Sequence, residues 1–373
     1  MPEIQAVNEN LIISGFQQYL LCLCSVPGIS GKTIFAKDKN IILTGFLISI
    51  MNIDSTSGSE NSVADFLISS YNPEGSELEV IDIENGKKNL FYKWGKPEII
   101  FCSHFDTVPP YIPPSLDGDL IKGRGSCDAK GQIAVLAYVC EKLFEKGHTN
   151  FGLLMLAGEE VGSYGAIAAN KVITGSKYVI VGEPTENKLI RASKGNILAE
   201  FVFKGRSCHS GYPENGDDAV MRMSSFIERL RRYEFTLDEI LGETTFNIGK
   251  VVSDNAHNVV SEKASLKIFF RTTKATHDHM KEIIPLLTDE LTEVNFKYGD
   301  RPMDFVTVDG FETGVVSYGS DAPELYNLGE CLLYGPGSIL DAHTVNEKVK
   351  ISDMNKAVDD LIDIYEKLKQ KLN

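Results

Sequence analysis

The sequence predicts an α/β fold in which a doubly wound domain, built on buried parallel strands, is interrupted by a smaller α+β unit. Short apolar runs that end at polar residues alternate with helical patterns in the first half of the chain and again near its end. From about residue 188, apolar and polar residues alternate instead, as they do in half-exposed strands. We therefore expect residues 1–187 and 304–373 to form one discontinuous domain and residues 188–303 to form the inserted one.

Composition limits the classes of partner. The 373 residues, 43% of them hydrophobic, are enough for two domains with sizeable cores. The formal net charge of −15 at pH 7 includes no basic block, which argues against nucleic acid or an anionic membrane as partner and favours small ligands or metal cations. The seven cysteines lack C-x-x-C spacing, the N-terminus lacks the positive charge of a signal peptide, and the apolar run 41–51 is too short to span a bilayer. These features predict a cytoplasmic protein.

The predicted elements follow from the period of the apolar residues. Short continuous apolar runs predict buried parallel strands at residues 98–103, 152–157, 178–182 and 331–334. Apolar spacing of three and four predicts helices at residues 129–146 and 353–372. In the inserted unit, strict alternation predicts strands at residues 197–204 and 264–271, and amphipathic patterns predict helices at residues 219–232 and 278–294.

Histidines and acids follow each of the four predicted parallel strands. In chain order they are His104 and Asp106, then Glu159 and Glu160, then Glu183, then Asp341 and His343. Because the carboxyl ends of parallel strands meet at one edge of an open α/β sheet, where such sheets bind their ligands, we expect these side chains to lie together.

Each of these positions also has an ordinary explanation when it is taken alone. The H-x-D triplet at His104 is typical of a polar turn, and Asp128 is placed to cap the helix predicted at residues 129–146. Glu159 and Glu160 suit a solvated loop equally well, although two adjacent acids repel each other unless a cation or a proton intervenes. One of them could bind a metal while the other accepts a proton from water. Taken together, two histidines and three ligating carboxylates are enough for two zinc ions that share one carboxylate, as in two-metal hydrolases.

Five motifs occur in the order HFDTVPP, GRGSCDAKG, GEE, GEPT and GPGSILDAH. In this order, with a unit inserted after GEPT, they resemble the metallopeptidase family of acetylornithine deacetylase, succinyl-diaminopimelate desuccinylase and the aminoacylases. The resemblance runs from about residue 53 to the C-terminus. It implies a doubly wound zinc-hydrolase catalytic domain whose inserted unit is a lid that also forms a homodimer. One departure is Ser261, where the family often has proline.

The resemblance also implies a role for each site residue. One Zn²⁺ would be held by His104, Asp128 and Glu183, and a second by His343, Asp128 and Glu160, with Co²⁺ as a substitute for either. Glu159 would be the general base, and Asp106 would orient His104. In the inserted unit, His209 would polarise the scissile carbonyl in the partner subunit's site, while Asn258 and Arg271 would bind the substrate backbone and its carboxylate.

The activity implied by the resemblance is zinc-dependent removal of the acyl group from an N-acyl amino acid. The GEPT motif and the net charge of −15 favour N2-acetyl-L-ornithine as substrate. Succinyl-diaminopimelate, other N-acyl amino acids and dipeptides are the alternatives within the enzyme class. A catalytically silent homologue that binds zinc is the alternative outside it.

Two parts of the chain receive no chemical role. His277 and His279 are two residues apart on a predicted helix, so their side chains point away from each other and predict solvated surface. Residues 11–51 precede the recognisable motifs and are a candidate pocket edge or oligomer contact.

Overall fold

The computed structural model describes residues 39–372. The helices in this range are α1 (Lys39–Met51), α2 (Asn61–Ser70), α3 (Lys130–Glu145), α4 (Tyr164–Val172), α5 (Ala219–Arg232), α6 (Met280–Ile283) and α7 (Ile351–Leu372). The strands are β1 (Glu77–Ile83), β2 (Lys87–Trp94), β3 (Ile99–His104), β4 (Ser115–Asp117), β5 (Leu120–Lys122), β6 (Phe151–Leu156), β7 (Tyr178–Val181), β8 (Leu189–Ser193), β9 (Gly195–Lys204), β10 (Thr245–Val252), β11 (Lys263–Thr272), β12 (Thr292–Tyr298), β13 (Met303–Asp304), β14 (Thr313–Val316), β15 (Glu330–Leu333) and β16 (Lys348–Lys350). Residues 11–51 are a candidate pocket edge or oligomer contact, and those of them before Lys39 lie outside the described residues.

The described chain divides into two compact units. The first contains residues 39–190, Phe305–Gly314 and residues 320–372. The second contains Arg191–Asp304 and the short segment Val315–Gly319. The first unit is thus discontinuous in sequence.

The large sheet of the first unit runs in the order β1-β2-β6-β3-β7-β15, and β8 follows β15. Strands β6, β3, β7 and β15 are mutually parallel, which confirms the four predicted parallel strands. The hairpin of β1 and β2 pairs antiparallel with β6, and Ile190 of β8 pairs antiparallel with Leu333 of β15. The sheet is therefore mixed, with a parallel centre.

Side chains on β3 show why the centre of this sheet is apolar. Ile99 and Phe101 belong to the core formed with α1, α3 and α7. Ile100 and Cys102 point to the opposite face and are equally buried, at 0% exposure. A strand that is covered on both faces needs a continuous apolar run rather than an alternating one, and this confirms the doubly wound prediction.

Helix α1 covers the apolar run at residues 41–51, and its residues from Leu43 to Met51 are buried. This run is therefore a core helix of a folded domain. Within residues 39–372, none of the helices combines the length and the apolarity that crossing a bilayer requires.

The second unit is an antiparallel sheet in the order β10-β11-β9-β12 that packs against α5. Its buried and half-buried residues alternate along β9, as the sequence predicts. Phe201, Phe203 and Phe226 pack together at the centre of its core. Helix α5 has the predicted bounds, and the Asp218 carboxylate caps it by accepting the backbone N–H of Val220.

The prediction of a helix at residues 278–294 is wrong for most of these residues. Only α6 is α-helical, and it is followed by a single 3₁₀ segment, Ile284–Leu287. Pro285 has no N–H to continue the helical hydrogen bonds. Beyond Pro285, Val294 lies in β12 and pairs with Phe201 of β9. The last residues of the predicted helix therefore form a strand of the sheet instead.

The expected surface position of His277 is also wrong. Its side chain is 3% exposed, and its Nδ1 lies 2.7 Å from the Thr272 hydroxyl. His279 is exposed, as expected, and its Nδ1 is 3.1 Å from Glu282 Oε2. The buried histidine completes a polar cluster of threonines, which a helical projection of the sequence does not reveal.

Candidate active site

Five of the predicted site residues converge at the carboxyl end of the parallel strands. His104 is the last residue of β3, Glu160 follows β6, and Glu183 follows β7. His343 lies in the loop after β15, and Asp128 lies just before α3. The parallel alignment of the strands places these loops at one edge of the sheet, as the sequence predicts.

The first group of possible metal ligands comprises His104, Asp128 and Glu183, all buried. His104 Nε2 lies 3.2 Å from Asp128 Oδ1 and 4.0 Å from Glu183 Oε1. One imidazole nitrogen and two carboxylate oxygens within this range are a donor set suited to a divalent transition metal.

The second group comprises Asp128, Glu160 and His343. His343 Nε2 lies 3.2 Å from Asp128 Oδ2 and 3.1 Å from Glu160 Oε1. The hydrogen bonds with these two carboxylates raise the pKa of His343 to about 10. Asp128 thus offers one oxygen to each group, which is the geometry of a bridging carboxylate.

Two observations indicate that a cation fits this site. His104 Nε2 is buried, and although Asp128 Oδ1 lies 3.2 Å away, no group among residues 39–372 meets it with the geometry of a hydrogen bond, whereas buried polar atoms usually have a partner. Burial also raises the pKa values of Glu183 and Glu159 well above the usual range, with the charge of Asp128 raising both further. A divalent ion would give the imidazole nitrogen a partner and would neutralise the crowded carboxylates.

Asp106 contacts the backbone of Glu159 as well as the side chain of His104. His104 Nδ1 lies 3.1 Å from the Asp106 backbone oxygen and 3.4 Å from its Oδ1. The Asp106 carboxylate accepts the backbone N–H groups of Glu159 at 3.0 Å and Glu160 at 3.3 Å, and the Ser57 hydroxyl at 2.8 Å. Burial raises the pKa of Asp106, but the hydrogen bond and charge of His104, with the hydrogen bonds from Ser57 and the Glu159 N–H, outweigh it and hold that pKa below its usual range. Asp106 therefore joins the ends of β3 and β6.

Glu159 belongs to neither group of possible ligands. Its side chain is 16% exposed, and its Oε2 lies 3.9 Å from His104 Nε2. A carboxylate this close to the possible ligands, but outside both groups, is placed to exchange a proton with a molecule bound at the site.

The interpretation of Asp128 as a helix cap is wrong. The N-cap of α3 is Ala129, which has no side-chain capping bond. Asp128 instead turns its two oxygens towards His104 and His343. Its position in sequence suits either role, and the approach of two histidines from distant strands decides between them.

The remaining predicted site residues lie in the second unit. His209 is exposed and pairs across an isolated bridge with Val259, so it is adjacent to Asn258, whose carbonyl accepts the N–H of Ser210. Arg271 lies on β11, with its guanidinium 4.8 Å from the centre of the Phe269 ring. Burial lowers the pKa of Arg271.

Relatives of this chain identify its family. A peptidase M20 domain-containing protein from Schizosaccharomyces pombe is 31% identical over 355 residues, which cover 92% of this chain and 88% of the relative. The chain belongs to the M20 peptidase family. Within this M20 chain, residues 191–299 match the family model described as a peptidase dimerisation domain. The resemblance found in the motifs is thereby confirmed, as is the fold class with its inserted dimerisation domain.

Two further comparisons extend this result. A probable carboxypeptidase from Aspergillus clavatus is 35% identical over 357 residues, covering 85% of this M20 chain and 86% of the relative. The crystal structure of a tripeptidase from Staphylococcus aureus superposes with a TM-score of 0.72 at 20% identity, covering 86% of this chain and 96% of that one. At this identity the structural likeness concerns the fold. The named relatives indicate a hydrolytic family that acts on peptides.

Several buried residues around the site carry no sequence signal that identifies a role. Arg124 and Glu347 form a buried ion pair beside the Asp128 loop. Gln132 donates from Nε2 to the carbonyls of Cys127 and Pro336, both at 2.8 Å. The only hint in the sequence is that a charged residue lies between two glycines at Arg124 and another follows His343 by four residues at Glu347.

Proposed function

We propose that this M20 chain is a two-metal amidohydrolase that cleaves a linear amide bond next to an amino acid with a free carboxylate. The observation that carries the proposal is that Asp128 is shared between two histidine–carboxylate groups, while Glu159 stays outside both. Two metal positions with a free base beside them are the parts that hydrolysis of an amide requires.

The ions we propose are two Zn²⁺, for which Co²⁺ can substitute. His104, Asp128 and Glu183 would hold one, and His343, Asp128 and Glu160 the other. Mixed imidazole and carboxylate donors suit zinc, whereas Mg²⁺ and Ca²⁺ prefer oxygen donors alone.

The mechanism assigns acid–base chemistry to Glu159. When bound, the two ions would polarise the scissile carbonyl and make water more acidic. The Glu159 carboxylate accepts a proton from the attacking water and returns it to the departing amine, so the same group acts as base and then as acid. Asp106 holds the backbone of Glu159 by accepting its N–H, which keeps the base beside the site.

We also propose roles for three residues of the inserted unit. His209 would act in the partner subunit's site, where it would donate a hydrogen bond to the carbonyl oxygen as negative charge develops on it. Asn258 would bind the substrate backbone, and Arg271 would pair with its carboxylate through the planar guanidinium. The exposed position of His209 suits a group that meets substrate.

Two substrate classes have separate support. The names of relatives such as the probable carboxypeptidase from Aspergillus clavatus favour short peptides cleaved at the C-terminal residue. The net charge of −15 favours a cationic side chain and hence N2-acetyl-L-ornithine, with succinyl-diaminopimelate, other N-acyl amino acids and dipeptides behind it. Both classes place a free carboxylate next to the bond that is cleaved.

Amine release from a panel of substrates tests this proposal. The panel contains N2-acetyl-L-ornithine, N-succinyl-diaminopimelate, neutral N-acetyl amino acids, dipeptides and tripeptides, each with metal-free, zinc-loaded and cobalt-loaded protein. We expect release that depends on metal, and the preferred substrate identifies the class. An equal rate in the chelated sample would contradict the two-metal mechanism.

The Glu159→Gln variant separates an enzyme from a silent metal-binding homologue. We expect it to keep both ions and to lose at least about 100-fold in kcat, because the amide cannot accept the proton. Bound metal is measured by atomic emission alongside the rate. If the variant and the wild type behave alike on every substrate, with metal bound to both, the chain is a binding protein.

A further inference from the structure

Glu347 is a buried carboxylate that contacts the loop carrying Asp128. Its Oε1 accepts the backbone N–H groups of Cys127 and Asp128, both at 3.2 Å. Its Oε2 is 2.5 Å from Arg124 Nη1. The side chains of Glu347 and Arg124 are 0% and 2% exposed, so water does not compete for these bonds.

Glu347 also lies on the loop that carries His343, which precedes it by four residues. Its backbone is joined to the Asp128 side of the site as well, because the Glu347 carbonyl accepts the N–H of Gly123 at 3.0 Å. Directly after it, β16 pairs with β5. One carboxylate therefore connects the loop of the shared ligand with the loop of a second ligand.

The two hydrogen bonds that Glu347 Oε1 accepts fix the orientation of the backbone at Asp128, and hence the direction in which the Asp128 side chain extends. This matters because Asp128 must offer Oδ1 towards His104 and Oδ2 towards His343, each at 3.2 Å. A small rotation of the backbone at Asp128 would move both oxygens at once. Without an acceptor, two buried N–H groups would lose their partners, which favours such a rotation.

We propose that Glu347, held by Arg124, is a positioning residue that sets Asp128 as the shared ligand of the two ions. This inference rests on the proposed function, since it assumes that both ions bind. Glu347 belongs to neither group of possible metal ligands, and it acts through the backbone of Asp128.

The ion bound through His343 is expected to be the more sensitive of the two. His343 is 51% exposed and lies on the loop that Glu347 anchors, whereas His104 is 1% exposed at the end of a central strand. Loss of Glu347 thus loosens two of the three ligands of the second ion. It loosens only one ligand, Asp128, of the first.

Two double variants separate the acceptor from the ion pair. Arg124→Met with Glu347→Gln removes the charges but leaves an amide oxygen for the two N–H groups, and the absence of Arg124 removes the competing donor. Arg124→Met with Glu347→Met removes the charges and the acceptor. Replacement of a buried ion pair by apolar groups is often tolerated by the fold, so both chains can be purified and compared. Lys348→Met, which breaks an ion pair with Asp341 on the same loop, is the control.

The readout is the amount of metal bound per chain, measured by titration with Zn²⁺ in a chelator buffer and by the visible spectrum of the Co²⁺ form. We expect two ions in the wild type, in Lys348→Met and in the methionine–glutamine chain. In the methionine–methionine chain we expect the second ion to bind about 10–100-fold more weakly, as is typical when a group that orients a metal ligand is lost. Equal binding by all chains, or equal loss in both double variants, would overturn the inference while leaving the proposed function intact.

Two further observations keep the test decisive. If the methionine–methionine chain does not fold, Glu347→Asp takes its place, since the shorter carboxylate keeps the charge but cannot reach Arg124 and both N–H groups together. We expect the second ion to bind more weakly there also, and unchanged binding overturns the inference. A wild-type chain that takes up no metal overturns the proposed function itself and the inference with it.

Discussion

At the scale of single residues, Glu141 on α3 shows what burial does to a carboxylate away from the metal site. Its Oε1 is buried and has no hydrogen-bond partner within residues 39–372. Burial, reinforced by the nearby charge of Glu145, raises the pKa of Glu141 to about 8. An acid whose pKa is higher in the folded than in the unfolded chain binds more protons when folded, so its contribution to stability falls as pH rises.

We therefore expect Glu141→Gln to stabilise the protein at alkaline pH. Between pH 5 and pH 8, the free energy of unfolding of the variant relative to wild type should rise by about 1.4 kcal/mol per pH unit at most. Denaturant unfolding at a series of pH values measures this difference. Glu84→Gln, at an exposed position of the same unit, is the control and should show no such trend. A flat difference for Glu141→Gln would show that its carboxylate is solvated.

At the scale of elements, the start of α4 is fastened to the end of β6 at Gly165. The N–H of Gly165 donates to the Ala157 carbonyl at 3.0 Å, and its own carbonyl accepts from Asn89 at 2.8 Å. A Cβ added at Gly165 would lie 2.2 Å from the Ala157 carbonyl oxygen, a backbone atom that cannot move aside. Glu159 and Glu160 follow Ala157 by two and three residues, so the contact between Gly165 and Ala157 also positions these two acids.

Gly165→Ala is accordingly expected to destabilise the first unit by at least about 2 kcal/mol, through overpacking against the backbone. Activity should fall with it, since displacement of α4 shifts the end of β6. The matched control is Gly249→Ala on β10, where the nearest atom to an added Cβ is 3.6 Å away. Thermal unfolding compares the two variants, and equal losses would mean that the close approach at Gly165 is easily relieved.

At the scale of the whole molecule, the match of residues 191–299 to a peptidase dimerisation domain indicates a dimer. We proposed that His209 acts in the partner subunit's site, and this makes each site dependent on two chains. Glu159→Gln and His209→Ala should each be inactive as homodimers. A mixed dimer would contain one site with both residues intact.

Co-expression of the two variants is therefore expected to restore about a quarter of the wild-type activity, because half of the dimers are mixed and each of these has one complete site. His279→Ala, which changes an exposed histidine of the same unit, should be fully active alone. Sedimentation shows whether the chains are dimeric. If both homodimers are inactive and proven mixed dimers show no recovery, His209 acts in the site of its own chain. A fully active His209→Ala homodimer would show that His209 has no catalytic role.

Local sequence pattern accounts for the elements that were predicted correctly. The four parallel strands shift by no more than one residue at either end from the apolar runs, because a strand covered on both faces needs such a run. The region 278–294 failed because Pro285 and the pairing of Val294 with Phe201 override an amphipathic pattern. Periodicity describes one segment, whereas pairing depends on what lies beside it.

For the site, the sequence by itself determined which chemical groups are available and at which strand ends they occur, and its motifs identified the family. Only the tertiary structure decided that Asp128 turns towards His104 and His343 instead of capping α3, and that Asp106 also holds the Glu159 backbone. The structure alone revealed the contact between Glu347 and Asp128, which are 219 residues apart. The physical reason is that apolar periodicity acts within a turn or a strand, while the orientation of a ligand depends on hydrogen bonds from chain segments that meet only in the folded state.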